Sequence, residues 1–295
     1  MQLSYEDITI LITGSLIAVS CALPGSLLML RRMALAGDAI AHAVLPGIVI
    51  AFLLSGSRSS PFMIAGAAML GLLTTFSIEL LQKKARLQAD ASIGLTFTFL
   101  FATGIILLSM LAGKVDLDQD CVLYGELAYV PLDVWVSTSG NVLGPRAVFI
   151  TTFLLLLLVT WFAICWRPLL LTTFDPAYAA ALGVNTSFYH YLLMGSVSVT
   201  TVVSFELVGA ILVVALLIVP AATAYLLTDN FKHLLLLACL IGVLAVTVGY
   251  SVAAQADASI AGTIAVVNGL FFFLAFLLSP RYGLLMGRRR STRIH

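Results

Sequence analysis

The chain has 295 residues, of which 61% are hydrophobic and only 10% are charged, and its formal net charge is +1. Soluble domains carry roughly 25% charged residues, so this composition excludes a soluble globular protein and indicates a polytopic membrane protein. Long apolar runs, rather than short alternating strands, predict helices as the spanning elements. The expected fold class is therefore all-α: an integral-membrane helical bundle with eight or nine transmembrane helices and a short cytoplasmic helix.

Nine apolar segments are long enough to cross a bilayer, which takes about 20 residues per helix. They lie near 9–30, 34–54, 61–81, 91–112, 147–166, 188–204, 208–227, 234–253 and 260–279. The run from 188 to 227 is too long for one helix, and Glu206 is its only interior charge. A turn beside Glu206 gives nine spans, whereas a re-entrant segment there gives eight.

The positions of the cationic residues predict the topology, because cytoplasmic loops are enriched in Lys and Arg. When the turn at 31–33 is placed in the cytoplasm, only Arg58, Lys114 and Arg146 of the fifteen Lys and Arg residues fall outside. The opposite orientation would reverse this bias. We therefore expect an extracytoplasmic N-terminus and a cytoplasmic C-terminus.

The whole chain, 1–295, is expected to form a single transmembrane domain. Its helical core covers about 5–285, and the basic stretch 286–295 forms a cytoplasmic tail. The sequence contains neither a G-x-x-x-x-G-K-[ST] phosphate loop nor an H-E-x-x-H motif. We therefore expect no catalytic residues, no permanently bound cofactor and no nucleic-acid partner; if ATP is used, a separate chain hydrolyses it.

The second span contains the most informative polar residues, in "GDAIAHAVLPG" at 37–47. Asp38 and His42 are four residues apart, so a helix places them on one face, about 6 Å apart along its axis. Ionisable groups inside a membrane are costly and usually belong to a pathway. Imidazole with carboxylate suits zinc, manganese or iron(II). Pro46, one turn further, predicts a kink or break where irregular backbone lines a cavity.

Other interpretations of this pair stay open. Asp38 lies close enough to the cytoplasmic edge to pair with Arg31 or Arg32, while His42 bonds to a carbonyl. A proton relay is a third interpretation. Two ligands are too few for a tight metal site, but a two-fold dimer with this helix near its axis would supply two Asp and two His.

The inner loop predicts a short helix in "FDPAYAAALGVN". Asp175 is suited to the N-cap and Pro176 to the first helical position. Gly183 is suited to the position after the C-cap, where a left-handed residue ends a helix. The sequence leaves two roles open: a connector at the membrane interface, or a helix that docks on another protein. The residues concerned are Asp175, Pro176, Ala177, Tyr178, Ala179, Ala180, Ala181, Leu182 and Gly183.

Four stretches, taken together and in this order, resemble the manganese/zinc/iron-type ABC transporter permeases, also called ABC-3 metal permeases. They are "GDAIAHAVLPGIVIAFLL", "VDLDQDCVLYGELAYVPLD", "FDPAYAAALGV" and "VGAILVVALLIVPAATAYLL". The resemblance covers roughly 5 to 285, and the first stretch and "LLIVPAATA" are its most specific parts.

This resemblance implies the permease subunit of an ATP-driven metal importer in the bacterial inner membrane. Two permease subunits, here expected as a homodimer, would pair with two cytoplasmic ATPase subunits, and an extracytoplasmic metal-binding protein would deliver the ion. By resemblance, Asp38 and His42 match the metal-contacting positions, and Asp175–Gly183 matches the coupling helix that docks on the ATPase. Membrane lipid is the remaining expected partner.

The transported ion is expected to be manganese first and zinc or iron next, because the long acidic stretch and extended C-terminus look more like the manganese/iron branch. The acidic residues near Asp116–Asp120 either attract cations or are simply solvated. Glu206 either caps a helix end or lines the outer mouth of the pathway. Two alternative functions remain: a secondary or proton-coupled metal carrier, and an ABC permease for an organic metal chelate.

Overall fold

The computed structural model describes residues 4–55, 60–111, 127–136 and 142–279. Within these ranges the chain forms long helices and one short helix. In chain order they are α1 (Tyr5–Leu30), α2 (Ala34–Ser55), α3 (Ser60–Lys84), α4 (Ala89–Leu111), α5 (Arg146–Phe174), the short α6 (Pro176–Ala181), α7 (Thr186–Val208), α8 (Ala210–Leu227), α9 (Phe231–Ala256) and α10 (Ile260–Leu278).

The long helices are those that the hydropathy pattern predicts. In the described part of the chain, eight of them are long and apolar enough to cross a membrane. The other long helix, α2, has 22 residues, which also suffices for a crossing. The long run from 188 to 227 is divided at Gly209, between α7 and α8. The all-α transmembrane bundle is thus confirmed, and Glu206 lies in the last turn of α7 beside the division.

The centre of the bundle is formed by α1 and α8. Leu212, Leu216 and Leu217 of α8 are almost completely buried. Helix α1 approaches α8 so closely at Gly25 that a side-chain Cβ there would overlap the carbonyl oxygen of Leu217. Helices α9 and α10 pack on this pair, and α2, α3 and α4 form a second group. Helix α7 packs between the two groups, and α5 packs on α1 and α7. Small residues at such contacts let membrane helices pack through their backbones.

Two prolines lie inside helices that continue past them. Helix α2 continues through Pro46 to Ser55, so the helix is not broken there, and a kink at Pro46 stays a prediction. Helix α5 contains Pro168 and continues to Phe174, whereas the prediction ends it near 166. Proline removes one backbone donor, but neighbouring helices allow membrane helices to tolerate this loss. The inner loop is correspondingly shorter.

The connection between α4 and α5 contains structure that the sequence analysis did not predict. A 3₁₀ turn at Leu127–Tyr129 precedes two antiparallel strands, β1 (Val134–Val136) and β2 (Val142–Pro145). The Trp135 ring packs 6.0 Å from the Phe149 ring of α5. The acidic residues of 116–120 and the basic tail 286–295 lie outside the described residues.

Candidate metal site

The helix α2 brings Asp38 and His42 together on one face. The Nε2 atom of His42 lies 3.4 Å from Oδ1 of Asp38, and the two side chains are 24% and 38% exposed respectively. With a rise of 1.5 Å per residue, they lie about 6 Å and 12 Å from the start of the helix. The side chains are therefore neither fully packed in the core nor at the helix end, and they share a partly open face.

The separation of the two atoms suits a shared metal ion. Zinc binds imidazole nitrogen and carboxylate oxygen at about 2.0–2.2 Å with tetrahedral geometry, which sets two ligand atoms about 3.4 Å apart. In the described ranges, no three His, Cys, Asp or Glu side chains come together to hold an ion. Among the described residues Asp38 and His42 therefore form a pair and not a larger cluster, and both side chains are partly exposed.

Two aromatic rings of α4 hold the imidazole of His42. The Phe97 ring lies 5.1 Å from it in a tilted arrangement, and the Phe101 ring lies 5.4 Å from it edge-on. The two phenyl rings stack at 5.7 Å from one another. Such contacts restrict the ring orientation and therefore the direction of its nitrogen atoms. The sequence analysis missed these residues because a Phe in an apolar span carries no signal of its own.

The neighbours of the pair fix the position of α2 against the core. Ala39, Ile40 and Ala41 are buried. Gly37, directly before Asp38, lies against the side chain of Leu217, which a Cβ at this position would overlap. Helix α8 therefore packs against α2, and this close packing restricts the rotation of the helix that carries Asp38 and His42.

The ion pair between Asp38 and Arg31, one of the alternatives that the sequence left open, is not formed. Asp38 pairs with His42 instead. The Arg31 guanidinium contacts Thr172 and Thr173 at the end of α5. Burial lowers the pKa of Arg31, although a guanidinium remains charged at neutral pH.

The two other residues that the sequence placed on a pathway lie on different helices. Pro46 is buried on α2, one turn beyond His42. Glu206 is exposed near the end of α7. It does not form a three-residue cluster with Asp38 and His42 in the part of the chain that the structure describes. A role of either residue in a pathway stays a prediction.

The inner loop forms the short helix that its sequence predicts. The Asp175 carboxylate accepts a hydrogen bond from the Tyr178 backbone N–H at 2.9 Å, and Pro176 occupies the first position of α6. At the other end Gly183 has φ +79°, and the backbone N–H groups of Gly183 and Val184 donate to Ala180 and Ala179. This pair of hydrogen bonds is the Schellman motif. Both ends of α6 are therefore fixed by its own sequence.

Comparison with known proteins places these features in a family. The ABC 3 transport family matches residues 6–279. The chain is 45% identical to the manganese transport system membrane protein MntD of Bacillus subtilis, over 96% of this chain and 95% of that protein. It is 40% identical to the zinc transport system membrane protein TroD of Treponema pallidum, over 93% of this chain and 74% of that protein.

A solved structure agrees with this assignment. PsaBC from Streptococcus pneumoniae, in complex with Fab, superimposes with a TM-score of 0.79 at 30% identity, covering 99% of this chain and 96% of that one. The helical membrane fold and the extent of the match define a transporter permease. The chain belongs to the ABC 3 transport family.

Proposed function

We propose that this chain is the membrane permease of an ATP-driven importer of a divalent transition metal, with manganese the first candidate and zinc or iron next. The observation that carries the proposal is the Asp38–His42 pair, whose ligand atoms lie 3.4 Å apart. The similarity to a manganese and a zinc transport protein supports the same class of cargo. The metal is the transported substrate, and the chain supplies ligands to it.

The pair is proposed to work as half of a site completed by a second permease subunit. A homodimer would bring two carboxylates and two imidazoles to one axis, a ligand set that suits divalent transition metals. The partial exposure of both side chains is consistent with a face that a partner covers. A related but different second permease could supply other ligands, so subunit composition is part of the test.

The remaining partners follow from the family. Cytoplasmic ATPase subunits would dock on α6, whose capped ends give a short rigid helix between two spans. An extracytoplasmic binding protein would deliver the metal to the opposite face. This arrangement requires α6 in the cytoplasm, which is the orientation that the Lys and Arg positions predict for a multi-pass protein of the bacterial inner membrane.

The two proposed ligands alone do not determine which of the three metals the transporter prefers. Nitrogen and oxygen sites bind zinc more tightly than manganese almost regardless of geometry. Selection of manganese would therefore depend on the binding protein, on metal availability or on the completed dimer site. Competition between manganese and zinc during uptake measures this selection directly.

The test is uptake of radioactive manganese into proteoliposomes that contain the chain with the ATPase subunits that co-purify with it. The binding protein is added on the outer side, and ATP is enclosed inside. Uptake that requires enclosed ATP, and that excess zinc competes with, supports the proposal. The matched control encloses a non-hydrolysable ATP analogue.

Two other outcomes would favour the alternative functions. Uptake by the chain alone, driven by a proton gradient without ATPase subunits, would indicate a secondary or proton-coupled carrier. ATP-dependent uptake of a metal chelate, with no uptake of the free ion, would indicate a chelate permease. Either result would replace the proposal.

A further inference from the structure

Arg31, at the C-terminal end of α1, joins distant parts of the chain. Its Nη2 atom donates to the Thr172 hydroxyl at 3.0 Å, and its Nε atom donates to the Thr173 hydroxyl at 3.1 Å. Both hydroxyls donate in turn to the carbonyl oxygen of Leu169. The threonine protons are therefore used within α5, and the oxygen lone pairs accept from Arg31.

A third contact of Arg31 reaches α7. Its Nη1 atom lies 3.4 Å from Nδ1 of His190. A guanidinium has only donors, so Nδ1 must be the acceptor and the ring carries its proton on Nε2. One side chain thus contacts the last turn of α5 and the first turns of α7. The planar fork of Arg suits such simultaneous hydrogen bonds, which a Lys ammonium does not reproduce.

These partners lie on both sides of the short helix α6. Thr172 and Thr173 lie in the last turn of α5, three and two residues before Asp175, the N-cap of α6. His190 follows in α7, which begins at Thr186. Because α6 is joined to α5 through Asp175 and to α7 through residues 182–185, a displacement of α6 can be passed to either attachment.

Arg31 is followed closely in the chain by α2, the helix that carries Asp38 and His42. Arg32 has a left-handed φ of 57°, and the Met33 backbone N–H donates to Leu28, which makes a tight corner. Helix α2 begins at Ala34, and Asp38 follows within its second turn. Asp38, the first proposed metal ligand, therefore follows Arg31 by only seven residues in the chain.

A second set of polar contacts joins α3 to the same region. Glu79, which is only 8% exposed, pairs with Lys83 and hydrogen-bonds to Tyr191, the neighbour of His190. The negative charge of Glu79 also acts on His190. Buried charged groups of this kind are costly unless they are held by several partners. Polar side chains of helices α1, α3, α5 and α7 therefore lie close together in this region.

We propose that Arg31 is a positioning residue that transmits movement of α6 to α2, through Thr172 and Thr173 on one side and His190 on the other. This inference rests on the proposed function, since it assigns a route between the ATPase-docking helix and the metal ligands. The hydrogen bonds of the Arg31 guanidinium hold α5 and α7 to the turn between α1 and α2. This turn sets the position of Asp38 and His42. Without these hydrogen bonds, the transporter hydrolyses more ATP for each metal ion that it moves.

The experiment measures the ATP hydrolysed per metal ion transported, in proteoliposomes of the complete transporter. Arg31→Gln is expected to keep ATP hydrolysis and to raise this ratio about threefold or more, within the range known for residues that couple sites. Arg31→Lys keeps the charge but not the fork and is expected to behave similarly. Arg32→Gln is the matched control, because Arg32 is exposed and adjacent.

A second variant removes the acceptors instead of the donor. Thr172→Val together with Thr173→Val keeps the side-chain shape and deletes both hydroxyls. If Arg31 acts in part through them, adding Arg31→Gln to this variant raises the ratio by a smaller factor than Arg31→Gln does alone, because coupled residues are not additive. This variant also carries the test if Arg31→Gln does not reach the membrane.

If the assembled variants hydrolyse the same amount of ATP per metal ion as the parent, the inference is overturned. It is also overturned if the effects of the Arg31 and threonine substitutions on this ratio simply multiply, since the residues then act independently. Proportional loss of uptake and hydrolysis would indicate a structural role only and would overturn it as well. The proposed function is judged separately, on the parent transporter. ATP-dependent uptake by the parent with an unchanged ratio in the variants removes only this inference.

Discussion

The imidazole ring of His42 on α2 lies 5.1 Å from the Phe97 ring on α4. Together with Phe101, Phe97 limits the orientations open to the imidazole ring. The proposed ligand is therefore held by a neighbouring helix as well as by its own helix.

Replacement of Phe97 by Ala is expected to weaken metal uptake without abolishing it. The imidazole gains orientational freedom, and groups that orient a metal-binding His typically change affinity by about 10–100-fold. The apparent affinity for manganese in uptake assays measures this change. Phe99→Ala on the same helix is the control, because Phe99 is 69% exposed. Equal effects of the two variants would show that Phe97 does not act through His42.

Gly25→Ala is expected to destabilise the protein. The added Cβ overlaps the carbonyl oxygen of Leu217, which forces α1 and α8 apart, and overpacking of this kind costs about 1–3 kcal/mol. The midpoint of thermal unfolding in detergent measures the loss. Gly269→Ala is the control, since a Cβ there meets nothing within 4 Å. An unchanged midpoint in Gly25→Ala would contradict the close packing of these helices.

Asp175→Ala is expected to loosen α6 and to weaken association with the ATPase. The carboxylate accepts from the Tyr178 backbone N–H, and loss of an N-cap costs about 0.5–2 kcal/mol. Co-purification of ATPase subunits measures the effect. Asp175→Asn should retain most of the association, because Asn caps helices equally well. If Asn is as harmful as Ala, the role of Asp175 is not that of a cap.

Metal binding to the permease in detergent is expected to weaken as the pH falls. A carboxylate and an imidazole bind metal only when deprotonated, so protons compete with the ion. The sign is fixed: a lower pH gives a larger dissociation constant for manganese. Titration without the binding protein isolates this effect, and His42→Gln should flatten the dependence. A slope unchanged by His42→Gln would mean that another group titrates.

Much of the fold could be predicted from the sequence because its causes are local. Hydropathy sets the long helices, since the bilayer demands about 20 apolar residues for each crossing. The ends of α6 follow from Asp175 and Gly183, whose effects act over three or four residues. The pairing of Asp38 with His42 follows equally from helical spacing.

The features that could not be predicted depend on packing between distant segments. Arg31 contacts Thr172, Thr173 and His190, which are more than 140 residues away in the chain. The continuation of α5 through Pro168 depends on neighbouring helices, whereas sequence rules consider only the helix itself. The short strands β1 and β2 give a weak signal, because three or four alternating residues occur often by chance.

The measurement that tests the central claim most directly is radioactive manganese uptake by cells that carry the whole transporter, with Asp38→Asn and His42→Ala compared with the parent. Equal membrane levels and intact ATPase association are confirmed first. We predict that each variant loses at least about tenfold in uptake, because removing a ligand affects the metal more than removing its supports. Unchanged uptake in both variants would contradict the account and would place the metal path elsewhere.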